Sequence, residues 1–291
     1  MQFLNLRARE IFRAFFRIGG KNMSYDRNAV INIAKAEEGY LEKKDGNATY
    51  LYDKTANAGS ANYTKYGKEM HEIYPAVMDY PASWCDAFVD WCFMQAYGVS
   101  SARSLLGGNF DDYTVASAQL YKNKNAWKSG GTIPEPGWQI FFKNSKRICH
   151  TGLVIEYVPE SRMVVTIEGN TSSAAGVVAN GGCVRRKTYS VDDAQIAGYG
   201  VPAYDDGNFS FTPHWVHVGD TWYYRLADGV NAHGWKVINH HWYYFAESGK
   251  MLTGWQLIGG EWYYLEESGD YEGACWHEKD SRKGALERWF V

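Results

Sequence analysis

The sequence predicts an α+β domain with an antiparallel sheet, followed by a small array of β-hairpin repeats. In the first part, helical spacing of apolar residues gives way to runs of β-branched and aromatic residues. In the second part, Trp-Tyr-Tyr recurs at residues 222–224, 242–244 and 262–264, a period of twenty residues. Such repeats bury their apolar faces only by stacking on their neighbours. The chain of 291 residues also exceeds the usual size of one domain, which favours two units.

Changes in composition set the predicted boundaries. Residues 23–205 form the α+β domain, and the polar stretch at 206–213 is a linker. The aromatic repeats occupy residues 214–276, and residues 277–291 form a C-terminal tail.

Residues 1–22 form an extra basic segment that lacks the continuous apolar run of a signal peptide. The run Gly19-Gly20-Lys21-Asn22 before Met23 is consistent with a translated ribosome-binding site, so our hypothesis is that native translation begins at Met23 rather than Met1. Without a signal peptide, we expect synthesis in a host cytoplasm and action on the cell wall after release. A secreted host protein is the alternative.

Charge and cysteine usage exclude several classes of protein. The formal net charge of −3 gives no basic surface for nucleic acid or for a membrane. The five cysteines are odd in number and include no CxxC pair, so the sequence indicates neither a disulfide framework nor a zinc ribbon.

Residues 84–93 predict the start of a buried helix. Apolar side chains at positions 84, 88, 91 and 92 share one helical face, which places Cys85 at or near the first turn. A helix N-terminus carries partial positive charge and free N–H groups that stabilise a thiolate. From spacing alone, an inert core cysteine is the more common role, and it is the one we expect for Cys92 and Cys149.

A general base is predicted on the strands that follow. Residues 151–158 and 163–168 are strand-like runs separated by a turn, so they form an antiparallel hairpin. His150 begins the first strand and lies opposite Glu168 and Asn170 at the end of the second. These two residues are two positions apart and share a face, so either could hydrogen-bond the imidazole and fix its tautomer.

A nucleophile at a helix start, a base on a strand and an orienting group on the next strand form the papain-like arrangement. The residues at 84–86, 150–152 and 168–170 resemble the CHAP family of cysteine, histidine-dependent amidohydrolases and peptidases, especially members found in phage endolysins. The similarity covers about residues 28–204. One departure is Trp138, because relatives carry Asp after the preceding glycine.

The resemblance implies a nucleophilic Cys85, a general base His150 and orienting groups at Glu168 and Asn170. The substrate would be an amide in the peptide of peptidoglycan, and we favour N-acetylmuramoyl-L-alanine amidase activity. An endopeptidase would use the same residues. A non-enzymatic surface adhesin is the competing class.

No cofactor is expected for this chemistry. Zinc bound by Cys85, Cys149 and His150 is disfavoured because the ligand spacing does not fit small zinc sites. Asp45 and Asn47 occupy a turn like those that bind calcium in some relatives, but the ligand pattern of an EF-type loop is missing, so we predict no metal.

The C-terminal units resemble choline-binding or cell-wall-binding repeats. Their aromatic faces attract quaternary ammonium groups, which makes peptidoglycan and choline-substituted teichoic acid the expected partners. The expected ligand-binding residues are Trp215, Trp222, Tyr224, Trp235, Trp242, Tyr244, Trp255 and Trp262. Two alternatives are that these rings form only the hydrophobic spine of the array, and that the ligand is another wall glycan.

Overall fold

A computed structural model of the chain describes residues 25–205, 213–227 and 230–275. These residues divide into two compact units. The first holds the described residues up to Ile155, Thr166–Lys187 and residues 192–205, and the second holds Glu156–Val165, Thr188–Val191 and the described residues from 213 onward. The predicted segment 1–22, the start at Met23, linker residues 206–212 and the tail 277–291 lie outside the described residues.

Six helices of the first unit are described. They are α1 (Arg27–Ala36), α2 (Ala48–Leu51), α3 (Lys65–Ile73), α4 (Cys85–Tyr97), α5 (Val99–Leu105) and α6 (Thr114–Asn123). Side-chain oxygens cap several of them, as Asp26 does by accepting the N–H of Asn28 at 2.9 Å at the start of α1. Among the described residues, no helix has the length and apolar composition needed to cross a bilayer.

The helices pack on an antiparallel sheet of six strands, which confirms the predicted α+β class. The strands are β1 (Trp127–Ser129), β2 (Gln139–Lys143), β3 (Ile148–Val158), β4 (Met163–Thr171), β5 (Cys183–Ser190) and β6 (Ile196–Gly200). Their order is β1-β6-β2-β3-β4-β5, so the predicted hairpin is β3–β4, which lies between β2 and the edge strand β5. Strand β2 forms despite Trp138, whose side chain is only 7% exposed.

Helix α4 lies at the centre of this core, and ten of its thirteen residues are buried. The Trp84 ring, one residue before the helix, stacks on Tyr66 with centroids 5.5 Å apart. Gly169 of β4 permits close approach of the sheet, because a Cβ there would lie 2.5 Å from Phe88. Helices α1 and α3 pack against other parts of α4, which explains why it is apolar nearly all round.

The second unit consists mainly of short hairpins that follow the twenty-residue period. Its strands are β7 (His214–Val218), β8 (Thr221–Arg225), β9 (Gly234–Ile238), β10 (His241–Phe245), β11 (Gly254–Ile258), β12 (Glu261–Leu265) and β13 (Ala274–Cys275). Strands β7 and β8 form one sheet, and the others form a second in the order β11-β12-β13-β10-β9. The β9–β10 turn has φ of 48° at Asn239 and 70° at His240, as tight hairpin turns require.

Gly169→Ala tests the close packing of β4 on α4. The added methyl would lie 2.5 Å from Phe88 Cβ and 2.9 Å from Trp84 Cζ3, both in the core. We expect a loss of about 1–3 kcal/mol of unfolding free energy, measured by chemical denaturation. Gly46→Ala is the matched control, because its methyl would lie 3.2 Å from the half-buried Tyr63 ring and 3.9 Å from the Tyr80 hydroxyl, with no backbone or core atom closer. Equal destabilisation of the two variants would contradict the packing described here.

Candidate active site and aromatic cages

Cys85 is the first residue of α4 and is 5% exposed. The preceding residue, Trp84, occupies the N-cap position and makes no side-chain capping bond. Its indole is directed elsewhere and donates to Glu42 Oε2 at 2.9 Å. The Trp84 side chain therefore does not cap the N-terminus of α4. The backbone N–H groups of this first helical turn can stabilise an anion beside Cys85.

His150 lies on β3 with no exposure to solvent, and its Nε2 is 2.9 Å from Glu168 Oε2 on β4. The other carboxylate oxygen, Oε1, accepts the hydroxyl of Thr166 at 2.6 Å. The carboxylate is thereby held in place and fixes the imidazole orientation. Because Nε2 donates to Glu168, Nδ1 is the nitrogen left for proton transfer, and it makes no hydrogen bond of ordinary geometry.

The charge state of His150 is set by opposing effects. Burial alone lowers the pKa of the imidazole, but the neighbouring Cys85 thiol and the Glu168 carboxylate outweigh it and raise the pKa to about 10. At neutral pH the site therefore favours an imidazolium beside the thiol.

Asn170 is buried at the end of β4 but does not hydrogen-bond the imidazole. Its Oδ1 accepts the N–H of Gly182 at 3.2 Å, and its backbone is left-handed with φ of 56°. A left-handed φ departs from the regular extended backbone on which the predicted shared face of Glu168 and Asn170 depended. Of the two predicted orienting groups, Glu168 is the one bonded to His150, whereas Asn170 fixes the chain after β4.

The remaining cysteines and the acidic turn have other surroundings. Cys92 is buried inside α4, and burial raises the pKa of its thiol well above its usual value. Cys149 is half-buried. Asp45 Oδ1 accepts the N–H of Asn47 at 3.0 Å, so this carboxylate serves the turn. In the part of the chain that the structure describes, no group of three or more Cys, His, Asp or Glu side chains is arranged to hold a metal ion.

Three aromatic rings of the second unit form a first cage. The rings of Trp215 and Trp222 meet edge to face with centroids 6.2 Å apart, and Tyr243 of the next hairpin lies 4.8 Å from Trp215. They border a cavity of about 230 Å³. The cavity is also lined by Met251, Gly269, Asp270 and Glu272. Aromatic faces with carboxylates nearby suit an organic cation.

A second cage repeats this geometry twenty residues later. Trp235 and Trp242 are 6.2 Å apart at an interplanar angle of 86°, and Tyr263 lies 4.8 Å from Trp235. Four of the predicted ligand-binding tryptophans therefore form two similar cages. The other two, Trp255 and Trp262, lie in the third hairpin and are 44% and 48% exposed.

Two kinds of tyrosine contact the cage tryptophans. Tyr224 and Tyr244 pack against Trp215 and Trp235 of their own hairpins, at 5.1 Å and 5.0 Å. The ring that completes each cage, Tyr243 or Tyr263, is the middle residue of Trp-Tyr-Tyr in the following repeat. Alternation along the strand places this residue on the opposite face from Trp and the last Tyr, a signal that was available in the sequence.

A helix-start thiol, a buried imidazole and an orienting carboxylate are typical of cysteine-dependent hydrolases with a papain-like fold. The family model of the CHAP domain matches residues 76–170. The model of a choline-binding repeat matches residues 232–271, and that of a cell wall binding repeat matches residues 215–230. The chain therefore combines a CHAP domain with choline-binding repeats.

Several solved structures resemble parts of the chain. The choline-binding domain of Spr1274 from Streptococcus pneumoniae is 33% identical over 22% of this chain and 84% of its own, with a TM-score of 0.20. A pneumococcal cell wall endolysin from phage Cp-1, complexed with choline, is 24% identical over 28% of this chain and 30% of its own, with a TM-score of 0.13. Ly7917 is 14% identical over 86% of this chain and 97% of its own, with a TM-score of 0.35. No curated protein matches the chain.

The two kinds of module indicate the general activity. A CHAP domain implies cysteine-dependent hydrolysis of peptidoglycan. Choline-binding repeats indicate binding to choline-containing wall polymers such as teichoic acids, and hence action at the cell wall.

Glu168→Gln tests the electrostatic role of the orienting carboxylate. The substitution keeps the shape but removes the negative charge beside His150, so we expect the pKa of the imidazole to fall, as measured by an NMR titration of its ring protons. Because the folded-state pKa is raised, protonated His150 stabilises the fold below its unfolded pKa of about 6.5, and this contribution is lost as the pH rises through about 10. The control is Glu38→Gln, at a surface carboxylate paired with Arg186. An unchanged pKa in Glu168→Gln would contradict the assignment.

Proposed function

We propose that the chain is a peptidoglycan hydrolase in which the Cys85 thiolate attacks an amide of the wall peptide. The observation that carries this proposal is the buried pair of His150 and Glu168, bonded at 2.9 Å, whose imidazole is perturbed by the thiol at the start of α4. The pair leaves Nδ1 of His150 as the nitrogen that exchanges a proton with the thiol or with the leaving amine.

In the proposed reaction, the Cys85 thiolate forms a bond to the amide carbonyl carbon, and the carbonyl electron pair moves to oxygen. The backbone N–H of Cys85 is one donor to this oxyanion. As the intermediate collapses, the C–N bond breaks and His150 protonates the leaving amine, which leaves a thioester. His150 then takes a proton from water, and the resulting hydroxide hydrolyses the thioester and restores the thiolate.

The other two proposed site residues, Glu168 and Asn170, both lie on β4 and support the position of His150. Glu168 holds the tautomer and orientation of His150. Asn170 accepts the N–H of Gly182 and thereby fixes the end of β4, two residues from that carboxylate.

For the bond that is cut, we favour the amide between N-acetylmuramic acid and L-alanine. An endopeptidase that cuts within the peptide would use the same four residues and is the alternative activity. A non-enzymatic wall-binding protein is less well supported, because it would have no use for a buried imidazole kept charged beside a thiol.

The proposed domain organisation joins this catalytic domain, residues 23–205, to the wall-binding repeats at residues 214–276. Binding of the repeats to teichoic acid choline would raise the local concentration of the enzyme on its substrate. This combination suits a phage endolysin that reaches the wall at the end of infection, and a host autolysin is the alternative source.

Cys85→Ala tests the nucleophile. We expect wild type to clear suspensions of purified Gram-positive walls and the variant to lose about 10³-fold or more of that rate, measured as turbidity. Mass spectrometry of the released fragments then identifies the bond, because amidase activity creates new L-alanine amino termini and endopeptidase activity creates internal peptide ends.

Cys92→Ala is the matched control, because this cysteine lies in the same helix but in the core. It should retain wall clearing after correction for folded fraction. Clearing by Cys85→Ala at the wild-type rate would refute the thiolate mechanism, and binding without clearing by wild type would favour the non-enzymatic alternative.

Trp222→Ala tests the first cage, and Trp242→Ala is the equivalent change in the second. Each removes one aromatic wall, so we expect weaker binding of free choline by the full chain, by about 1 kcal/mol per lost cation–π contact at the altered cage. Titration calorimetry measures the effect. Leu257→Ala is the control, since this side chain is 58% exposed and contributes no ring. Wild-type choline binding by both tryptophan variants would place the ligand elsewhere.

A further inference from the structure

The residues that follow the proposed nucleophile and base are joined by one buried side chain. Asp86 comes directly after Cys85, and Thr151 comes directly after His150. The Nε2 amide of Gln139 donates to both of them, to Asp86 Oδ1 at 3.0 Å and to Thr151 Oγ1 at 3.1 Å. Gln139 therefore links helix α4 and strand β3 at the level of the active site.

Other side chains complete this network. The hydroxyl of Tyr121 donates to Gln139 Oε1 at 3.1 Å, which fixes which end of the amide faces Asp86. Ser117, four residues earlier on α6, donates to Asp86 Oδ2 at 2.6 Å. The Thr151 hydroxyl donates its proton to the carbonyl oxygen of Ile140 at 2.7 Å, so the hydroxyl oxygen can only accept the hydrogen bond from Gln139. Every polar atom of the Gln139 amide and of the Asp86 carboxylate has a partner.

The network is fully enclosed. Asp86 and Thr151 have no exposed surface, Gln139 is 1% exposed, and Ser117 is 5% exposed. Burial raises the pKa of Asp86 to about 7, although the bonds from Ser117 and Gln139 favour its charged form. If the Asp86 carboxylate lost one of these donors, no water could replace the lost hydrogen bond. Moving α4 relative to β3 would therefore cost free energy, and the network holds the two elements in their present register.

We propose that Gln139 is a positioning residue that sets the distance between the Cys85 thiol and the His150 imidazole, acting through Asp86 and Thr151. The inference rests on the proposed function, since it assigns Gln139 a part in the same thiol–imidazole pair. A polar core network with no such part would affect stability alone. Proton transfer between thiol and imidazole depends steeply on distance, so a small shift of α4 against β3 lowers reactivity before it unfolds the domain.

The test compares Gln139→Leu, Thr151→Val and Thr151→Ser. Leucine fills the space of glutamine without hydrogen bonds, valine removes the threonine hydroxyl at similar volume, and serine retains the hydroxyl. We expect kcat on solubilised wall fragments to fall about tenfold to 10²-fold in Gln139→Leu and Thr151→Val, with KM within about twofold of wild type. Thr151→Ser should restore most of kcat.

A second readout requires no wall substrate. The alkylation rate of Cys85 by iodoacetamide, followed by peptide mass mapping, reports how much thiolate the imidazole sustains in the folded protein. This rate should fall in the same two variants and recover in Thr151→Ser. Gln119→Leu is the matched control, because Gln119 lies on the same helix as Ser117 and its amide donates to Asn123 at an exposed site.

The outcomes separate this inference from the proposed function. Lower denaturation midpoints in Gln139→Leu and Thr151→Val, with kcat and the Cys85 alkylation rate unchanged in the folded protein, would reduce the network to a structural role and overturn the inference. If wild type clears no wall, the proposed function fails, while alkylation still tests the positioning. If Gln139→Leu does not fold by circular dichroism, the comparison of Thr151→Val with Thr151→Ser decides.

Discussion

The buried hydrogen bond between the Glu168 carboxylate and the His150 imidazole joins strands β3 and β4 within the first unit. Burying Glu168 and His150 would be costly if either stood alone, because each charge would lose its hydration. Their mutual bond, and the Thr166 hydroxyl on the second carboxylate oxygen, offset that cost. The same bond directs one imidazole nitrogen to Glu168 and leaves the other for chemistry. In the proposed mechanism, the stabilising contact and the catalytic arrangement are therefore one interaction.

Apolar packing also contributes to the position of the thiol. Helix α4 is buried nearly all round, and Trp84 and Phe88 pack against the backbone of Gly169. This contact brings the start of α4 to the strand that carries Glu168. The proposed catalytic pair thus depends on a hydrophobic helix–sheet contact and on buried hydrogen bonds, including those of Gln139 that join α4 to β3.

In the repeats, aromatic residues pack between neighbouring short hairpins rather than in one large core. A single hairpin of five-residue strands cannot bury its rings, so each hairpin relies on its neighbours. The cages at Trp215 and Trp235 arise at these contacts, because a tyrosine from the next hairpin completes each of them. The packing between hairpins and the proposed ligand binding therefore share the same aromatic surface, and the cages recur with the period of the sequence.

The sequence by itself determined the features that depend on local periodicity. Helical spacing placed Cys85 at the start of a buried helix, strand alternation set His150 opposite Glu168, and the recurrence of Trp-Tyr-Tyr defined the hairpins. Tertiary structure decided the contacts between distant segments. It placed Glu168, rather than Asn170, in a hydrogen bond with the imidazole, and it joined Gln139 to Asp86 across 53 positions of the chain. Such contacts depend on how elements pack, which no local pattern records.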